Sequence, residues 1–174
     1  HSNCPTPTNS YQVTCNDNMA ACGSLDQGYS RDSVVTWPVA AGETYLIRVS
    51  RHTGSPPGPF ILNVRTIPPN DLCANAQVAV EGANPFDNTF ASTDIAGATC
   101  GAAPFTKDVW FKFTATQTGD YELQTCSGPA PFDTGVEAYD NCPEQGGVLL
   151  GCNDDGAGCT AFASKLIVPM TAGT

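Results

Sequence analysis

Apolar and polar residues alternate along four short stretches in the second half of the chain. Successive side chains of a strand point to opposite faces, so an alternation with a period of two predicts β-strands. In the first stretch, Val109, Phe111 and Phe113 share one face and Trp110 lies on the other. The four predicted strands comprise residues 108–114, 121–125, 135–139 and 165–168.

Turn-forming residues separate these strands. The chain has 17 glycines and 14 prolines, and no stretch shows the apolar stripe with a 3.6-residue period that an amphipathic helix needs. Residues 118–120, Thr-Gly-Asp, lie between the first two strands and predict a β-hairpin. Short strands joined by such loops predict an all-β, antiparallel β-sandwich. We expect the tryptophans and phenylalanines to pack in its core, with Trp110 as the candidate for stacking against a sugar.

The chain contains an internal repeat. Residues 3–49 and 141–174 share three cysteines in the same order, and the middle cysteine of each set begins the tripeptide Cys-Asn-Asp. The offset is 138 residues at the first cysteine (142 − 4) and 131 at a shared proline (169 − 38). A repeat of this length indicates tandem domains. The matched positions are Cys4 with Cys142, Cys15 with Cys152, Cys22 with Cys159, and Pro38, Ala41 and Gly42 with Pro169, Ala172 and Gly173.

The repeat divides the chain into three parts. We expect 1–66 to be the C-terminal portion of one sandwich, 67–70 a stiff proline-rich junction, and 71–174 the N-terminal majority of the next sandwich. The first copy continues into two apolar segments, 44–49 and 60–64, that the second copy lacks. A neighbouring chain could supply them by strand addition, or the polypeptide simply continues. The candidate donor side chains are Tyr45, Ile47, Val49, Phe60, Leu62 and Val64.

The charge balance excludes two classes of partner. The chain has 7 Lys and Arg against 17 Asp and Glu, a net charge of −10. Nucleic acids and anionic membrane surfaces attract basic proteins, so neither is an expected partner. No apolar run reaches the length of about 18 residues that spans a bilayer, so membrane insertion is not expected.

Nine cysteines indicate disulfides rather than metal binding. Zinc sites use closely spaced cysteine pairs, often with histidines, whereas here six residues separate the closest pairs and the chain has two histidines. Disulfides form in exported proteins, so we expect an extracellular chain. Spacing favours the pairs Cys15–Cys22, Cys152–Cys159, Cys73–Cys100 and Cys126–Cys142, and leaves Cys4 unpaired or bonded to another unit.

The sequence contains no recognisable catalytic constellation. It has no Gly-x-Ser-x-Gly elbow, metalloprotease motif or phosphate-binding loop, so we do not expect an enzyme. Acidic loops suit Ca²⁺, the one cofactor that the sequence suggests, because this ion takes about six to eight oxygen ligands. The same residues are typical of turns held by side chain–backbone hydrogen bonds, and both interpretations stay open. The candidate ligands are Asp133, Asp140, Asn153, Asp154 and Asp155.

Five motifs form a recognisable series, at residues 45–49, 70–73, 108–111, 133–140 and 151–155. Together they resemble the secreted bacterial pre-peptidase C-terminal-like domain family, in the cysteine-rich versions found in tandem on large surface proteins. The resemblance implies a jelly-roll-like β-sandwich, a cell-surface location and no catalytic activity. The chain departs from the family in being out of phase with its domain, which affects the boundaries rather than the fold.

These observations favour a non-catalytic structural repeat of a cell-surface fibre or adhesin. Its main partners would be neighbouring copies of itself, stacked head to tail. The alternative is a non-catalytic carbohydrate-binding or accessory module of a secreted hydrolase. Such a module would bind surface glycans on an aromatic platform formed by Trp110, Tyr121 and Tyr139.

Overall fold

The computed structural model describes residues 33–51, 54–93, 100, 105–126, 132–160 and 162–174. The chain divides into two compact units, His1–Pro59 and Phe60–Thr174. This division lies ahead of the proline-rich segment 67–70, which therefore belongs to the second compact unit. The predicted repeat boundaries rest on sequence similarity rather than on compactness, and they stay a prediction.

Short strands dominate the second unit, and the described residues contain no α-helix. The prediction of a strand-rich fold without helices is confirmed to this extent. The strands form three two-stranded sheets, in which β1 pairs with β2, β3 with β6, and β4 with β5. The strands are β1 (Gln77–Val78), β2 (Phe111–Lys112), β3 (Gly119–Gln124), β4 (Val136–Tyr139), β5 (Leu149–Asn153) and β6 (Lys165–Met170), and 3₁₀ turns cover Cys73–Asn75 and Pro143–Gln145.

The longest sheet joins β3 to β6 in antiparallel register. Gly119 lies opposite Met170, and Gln124 lies opposite Lys165. Along β3 the side chains alternate between exposed and half-buried from Asp120 onward, as the period of two predicts. β6 also lies beside β5 and β4, so the sheets β3–β6 and β4–β5 are neighbours.

The hairpin predicted at residues 118–120 is wrong. Gly119 and Asp120 are the first two residues of β3 and pair with the end of β6. β2 pairs instead with β1, in parallel, with Phe111 opposite Gln77. A Thr-Gly-Asp sequence permits a tight turn, but the longer register with β6 satisfies more backbone groups.

A buried polar network connects β3, β6 and the loop before β4. Ser164 is fully buried, and its hydroxyl donates to the carbonyls of Thr134 and, at 2.6 Å, Asp154. Its backbone N–H lies 2.9 Å from the hydroxyl oxygen of Thr125, which is 2.7 Å from that of Thr134. These hydrogen bonds replace the water that the groups lose on burial. Among the residues that the structure describes, the buried apolar side chains are few: Ala91, Ala115, Ala163 and Val168.

All of the predicted cysteine pairs that fall within the described residues are wrong. The disulfides join Cys73 to Cys142, Cys100 to Cys152 and Cys126 to Cys159, with Cα–Cα distances of 5.7, 5.8 and 5.1 Å. The predicted pairs followed spacing along the chain, whereas strand pairing decides which cysteines meet. Because Gln124 lies opposite Lys165, the end of β3 brings Cys126 to the loop that precedes β6. Cys4, Cys15 and Cys22 lie outside the described residues.

The two predicted donor segments form no strand in the structure. Their apolar side chains are exposed, with exposed fractions from 38% at Tyr45 to 97% at Leu46 in the first segment. Phe60, Leu62 and Val64 in the second are 68%, 52% and 73% exposed. The expectation that phenylalanines pack in the core is wrong for several of them, since Phe60, Phe86, Phe90, Phe132 and Phe162 are exposed.

Candidate functional site

An aromatic pair marks the most distinctive polar surface of the second unit. Trp110 immediately precedes β2, and Tyr139 ends β4. Their ring centroids are 5.9 Å apart, with an interplanar angle of 48°. Both residues are half-buried, so each has a part of its surface open to a ligand.

Two carboxylates accompany this pair. The indole Nε1 of Trp110 donates to Asp108 Oδ2 at 3.2 Å, and the phenol of Tyr139 donates to Glu137 Oε2 at 2.7 Å. The other oxygen, Oε1 of Glu137, is buried and has no hydrogen-bond partner among the residues that the structure describes. We call these four residues the aromatic–acid cluster.

The cluster shifts the pKa of Tyr139. Burial raises this pKa from 10.0 to about 12, and the hydrogen bond and negative charge of Glu137 and the charge of Asp108 act in the same direction. A phenolate here would lose hydration and lie near negative charge. The phenol therefore stays a hydrogen-bond donor at all physiological pH values.

The structure brings together two of the three aromatic residues proposed for a sugar platform. Trp110 and Tyr139 are in contact, but the ring of Tyr121 packs on Phe113 with centroids 5.2 Å apart. The hydroxyl of Tyr121 donates to the carbonyl of Gln117 at 3.1 Å. Neither Asp108 nor Glu137 was among the predicted site residues, although their i, i+2 spacing to an aromatic residue places each pair on one face of an extended segment.

The predicted calcium ligands separate into two groups. Asp140 Oδ1 accepts from the Val148 N–H at 2.6 Å, and Asn153 Oδ1 accepts from the Lys165 N–H at 2.8 Å. These two bonds join residues 8 and 12 positions apart. The local bond that the turn interpretation predicts is the one from Asn153 Nδ2 to the Asp155 carbonyl, at 3.4 Å.

Two of the remaining predicted ligands, Asp133 and Asp155, act on the third, Asp154, through their charge. Partial burial and the negative charges of Asp133 and Asp155 raise the pKa of Asp154. Among the described residues, however, these three carboxylates do not form a group with ligand oxygens within 4.8 Å of one another. The one group that meets that spacing comprises Cys73, Cys142 and Glu144. Its two cysteines are joined in a disulfide, so they offer no thiolate to a metal.

A second feature of interest is the edge of β2 that faces away from β1. Gln77 N–H donates to the Trp110 carbonyl and Ala79 N–H to the Lys112 carbonyl, so these carbonyls face β1. Phe111 and Phe113 alternate with Trp110 and Lys112 along the strand, so their backbone N–H and C=O groups face the opposite edge. Their backbone groups form no hydrogen bond with any other residue that the structure describes. We call this side of residues 111–115 the open edge.

The end of the described chain enters the open edge at Ala115. Gly173 N–H donates to the Ala115 carbonyl at 2.9 Å, and Ala115 N–H donates to the Thr174 carbonyl at 3.1 Å. Gly173 and Thr174 thus both lie opposite Ala115, and Gly173 has a φ of +84°. This is the G1 β-bulge of antiparallel strands, in which glycine takes the left-handed conformation.

Both copies of the repeat form the same turn before this point. Thr174 N–H donates to the Thr171 carbonyl at 3.1 Å, and Glu43 N–H donates to the Ala40 carbonyl at 3.2 Å. Gly173 is the third residue of the turn at 171–174. Gly42, whose φ is +86°, is the third residue of the turn at 40–43. The agreement supports the internal repeat at the level of backbone conformation.

Comparison of the chain with protein-family models, with curated proteins and with solved structures finds no match. In the part of the chain that the structure describes, no helix has the length and apolar character to cross a membrane. The three disulfides indicate an oxidising environment of the kind that secreted proteins meet.

Proposed function

We propose that this protein is a non-catalytic structural repeat of an extracellular fibre or adhesin, in which copies stack head to tail. The proposal includes a jelly-roll-like β-sandwich of the pre-peptidase C-terminal type for the complete repeat. The observation that carries it is the shared turn at Gly42 and Gly173. In the first copy this turn leads into a segment of exposed apolar side chains.

Exposed apolar segments of this kind support association. Segments 44–49 and 60–64 together expose seven large apolar side chains besides that of Tyr45: Leu46, Ile47, Val49, Phe60, Ile61, Leu62 and Val64. Runs of exposed apolar side chains are typical of protein interfaces, and each segment provides such a run. The proposed function assigns them to contacts between neighbouring copies, which bury them from water.

Covalent cross-linking of the second unit suits such a role. The three disulfides span 69, 52 and 33 residues and supplement an apolar core of only a few side chains. Small cores outside the cell commonly depend on disulfides for stability. A unit with this bonding can tolerate the dilute and variable conditions at a cell surface.

Sedimentation of the oxidised full chain, together with electron microscopy of the native material, tests the proposal. We expect concentration-dependent oligomers and regular fibres. Leu62→Asp should weaken association, whereas Leu150→Asp on β5 should not; the two leucines are matched, each 52% exposed. A chain that stays monomeric at millimolar concentration, with no fibres in the native material, contradicts the proposal.

The aromatic–acid cluster favours a second candidate, a carbohydrate-binding module. Sugar rings stack on half-exposed tryptophan, and their hydroxyl groups donate to neighbouring carboxylates. Binding of the wild-type chain to a glycan array, lost in Trp110→Ala and kept in Trp37→Ala, supports this candidate. An array without any bound glycan argues against it.

A further inference from the structure

We propose that two exposed phenylalanines of the second unit, with the carboxylates on the same loops, bind the arginine-bearing stretch 44–51 of a second copy of the chain. Phe132 and Phe162 are 45% and 67% exposed. Together with Asp133, Asp154 and Asp155 we call them the loop surface. The inference rests on the proposed head-to-tail function and adds the acceptor surface and the chemistry that its partner needs.

The buried network at Ser164 holds the loop surface together. The Ser164 hydroxyl donates to the carbonyls of Thr134 and Asp154. The Thr134 N–H donates to the carbonyl of Phe162 at 3.2 Å. These bonds join the three loops that carry the five residues, so the loops are already ordered when a partner arrives. An ordered surface loses less conformational entropy on binding than a flexible one.

The loop surface lies at the end of β6 that begins with Lys165. Lys165 is opposite Gln124, and Met170, at the other end of the strand, is opposite Gly119. At about 3.4 Å per residue the two ends of the strand are roughly 17 Å apart. The turn at 171–174 follows Met170, so the exposure of the two phenylalanines is independent of the strand pairing at residues 111–115.

The carboxylates give this surface a negative potential. Partial burial and the charges of Asp133 and Asp155 raise the pKa of Asp154, whereas the adjoining Lys165 pairs with Glu122 at 3.6 Å. Among the described residues, the three carboxylates do not come within 4.8 Å of one another as ligands of one metal would. Carboxylates spread in this way suit the separate positive charges of a basic segment better than a single ion.

The chain itself contains such a segment. Residues 44–70 hold three arginines and no Asp or Glu, whereas residues 71–174 hold 13 of the 17 acidic residues and 3 of the 7 basic ones. Arg48 and Arg51 are exposed, and arginine side chains stay at the surface whichever strands flank them. The third arginine, Arg65, is already in contact with Phe90. Charge complementarity therefore selects 44–51 as the partner segment.

Arginine also suits the aromatic part of the surface. A guanidinium group stacks on an aromatic ring and pairs with carboxylates at the same time. The contact of Arg65 with Phe90, 5.3 Å from the ring centroid, is an example within this chain. Ile47 and Val49 alternate with the arginine at 48, and their side chains would shield the phenylalanines from water.

A peptide of residues 44–51 tests the contact directly. At concentrations of the oxidised full chain below self-association, fluorescence polarisation should detect binding of the labelled peptide. Replacing both arginines, Arg48→Gln and Arg51→Gln, should weaken binding about tenfold or more, because both charge-assisted pairs are lost. Equal binding of the two peptides overturns the proposal.

A substitution in the chain tests the aromatic part. Phe132→Ala should weaken binding of the unmodified peptide about fivefold, because it removes one of the rings on which a guanidinium stacks. Phe86→Ala is the matched control, since Phe86 is 46% exposed and lies outside the loop surface. It should change the affinity by less than about twofold. Equal effects of the two substitutions overturn the assignment of the surface.

Charge reversal tests assembly by two copies. The donor variant carries Arg48→Glu and Arg51→Glu, and the acceptor variant carries Asp133→Lys and Asp155→Lys. Each should stay monomeric in sedimentation where the wild type associates. Mixed together they should form pairs and nothing longer, because the first keeps its loop surface and the second keeps its basic stretch. Assembly of either variant alone to the wild-type extent overturns the proposal.

A third variant controls for net charge. Asp120→Lys with Glu144→Lys changes two exposed carboxylates outside the loop surface, and its charge changes as much as that of the acceptor variant. It should associate like the wild type. A loss of association equal to that of the acceptor variant would show a general charge effect and contradict a defined surface.

Two outcomes separate this inference from the proposed function. A wild-type chain that forms fibres but does not bind the unmodified peptide overturns the contact and leaves head-to-tail assembly intact. A wild-type chain that stays monomeric but binds the peptide with the expected dependence on arginine and Phe132 supports the contact and contradicts fibre formation.

Discussion

The phenol of Tyr139 donates a 2.7 Å hydrogen bond to Glu137, two residues earlier on the same face of β4. Because burial and this carboxylate raise the pKa of Tyr139 to about 12, the folded state holds the phenolic proton more tightly than the unfolded state does. The stability that this difference contributes is fully present below pH 10 and is lost as the pH rises through 12.

Spectrophotometric titration of tyrosine should show this shift. We expect one tyrosine of the folded chain to ionise near pH 12, and this step to disappear in Tyr139→Phe. Glu137→Gln should move the step towards pH 10, because it removes the nearest negative charge. Glu122→Gln, in an ion pair with Lys165 on another sheet, is the control and should leave the step in place.

The disulfide between Cys73 and Cys142 should make a large contribution to stability. It joins residues 69 positions apart, and removing it should lower the free energy of unfolding by about 4 kcal/mol, since the unfolded chain regains a long loop. Denaturant unfolding of the Cys73→Ser, Cys142→Ser double variant measures this loss. The matched control removes Cys126 and Cys159, which are 33 positions apart. Its loss in the free energy of unfolding should be smaller than that of the first double variant, by less than about 1 kcal/mol.

Peptide mapping of the unreduced chain checks the pairing itself. Fragments joining Cys126 to Cys159 are expected, and fragments joining Cys126 to Cys142 are not. Recovery of the local pairs would contradict the register of β3 with β6.

Ser164 should be among the most sensitive polar positions. Ser164→Ala leaves the carbonyls of Thr134 and Asp154 without their donor, so we expect a loss of about 1–3 kcal/mol in the free energy of unfolding. Ser55→Ala, at an exposed position, should change stability by less than about 0.5 kcal/mol. Equal effects of the two substitutions would contradict a buried network.

For the acidic loop at Asp154, the effect of an Asp→Asn substitution on the melting temperature should differ with and without calcium. The raised pKa of Asp154 means that its ionisation lowers stability as the pH rises above the unfolded value, because the folded state disfavours the charged form. In calcium-free buffer at pH 7, Asp154→Asn should therefore melt at a higher temperature than wild type.

Calcium itself provides the second measurement. If the loop binds Ca²⁺, the ion raises the melting temperature of the wild type but not that of Asp154→Asn, and Asp120→Asn on β3 responds like the wild type. A melting temperature that changes with neither calcium nor chelators would contradict calcium binding and support the turn interpretation.

Local pattern predicted which residues form strands better than it predicted which strands pair. The alternation located β3, β4 and β6, although only β3 alternates between exposed and half-buried residues and all four residues of β4 are half-buried. It missed β5, since Leu149-Leu150-Gly151-Cys152-Asn153 does not alternate. Pairing depends on contacts between distant segments, so both the hairpin at 118–120 and the local disulfides were wrong. A complete β-sandwich stays a prediction.

For the candidate site, too, the sequence predicted individual residues but not the contacts between distant segments. Trp110 and Tyr139 could be proposed from their residue types and strand positions. Their contact, and the orphaned oxygen of Glu137 beside it, depends on how the segment before β2 lies against β4. No spacing along the chain encodes that arrangement.

The order of the bridges has a consequence for survival outside the cell. The first cysteine of the second unit joins the fourth, the second joins the fifth, and the third joins the sixth. Any single cut by a protease between Cys73 and Cys159 therefore leaves two fragments that are still tied by at least one covalent link. A nicked unit would stay in one piece until several cuts had accumulated.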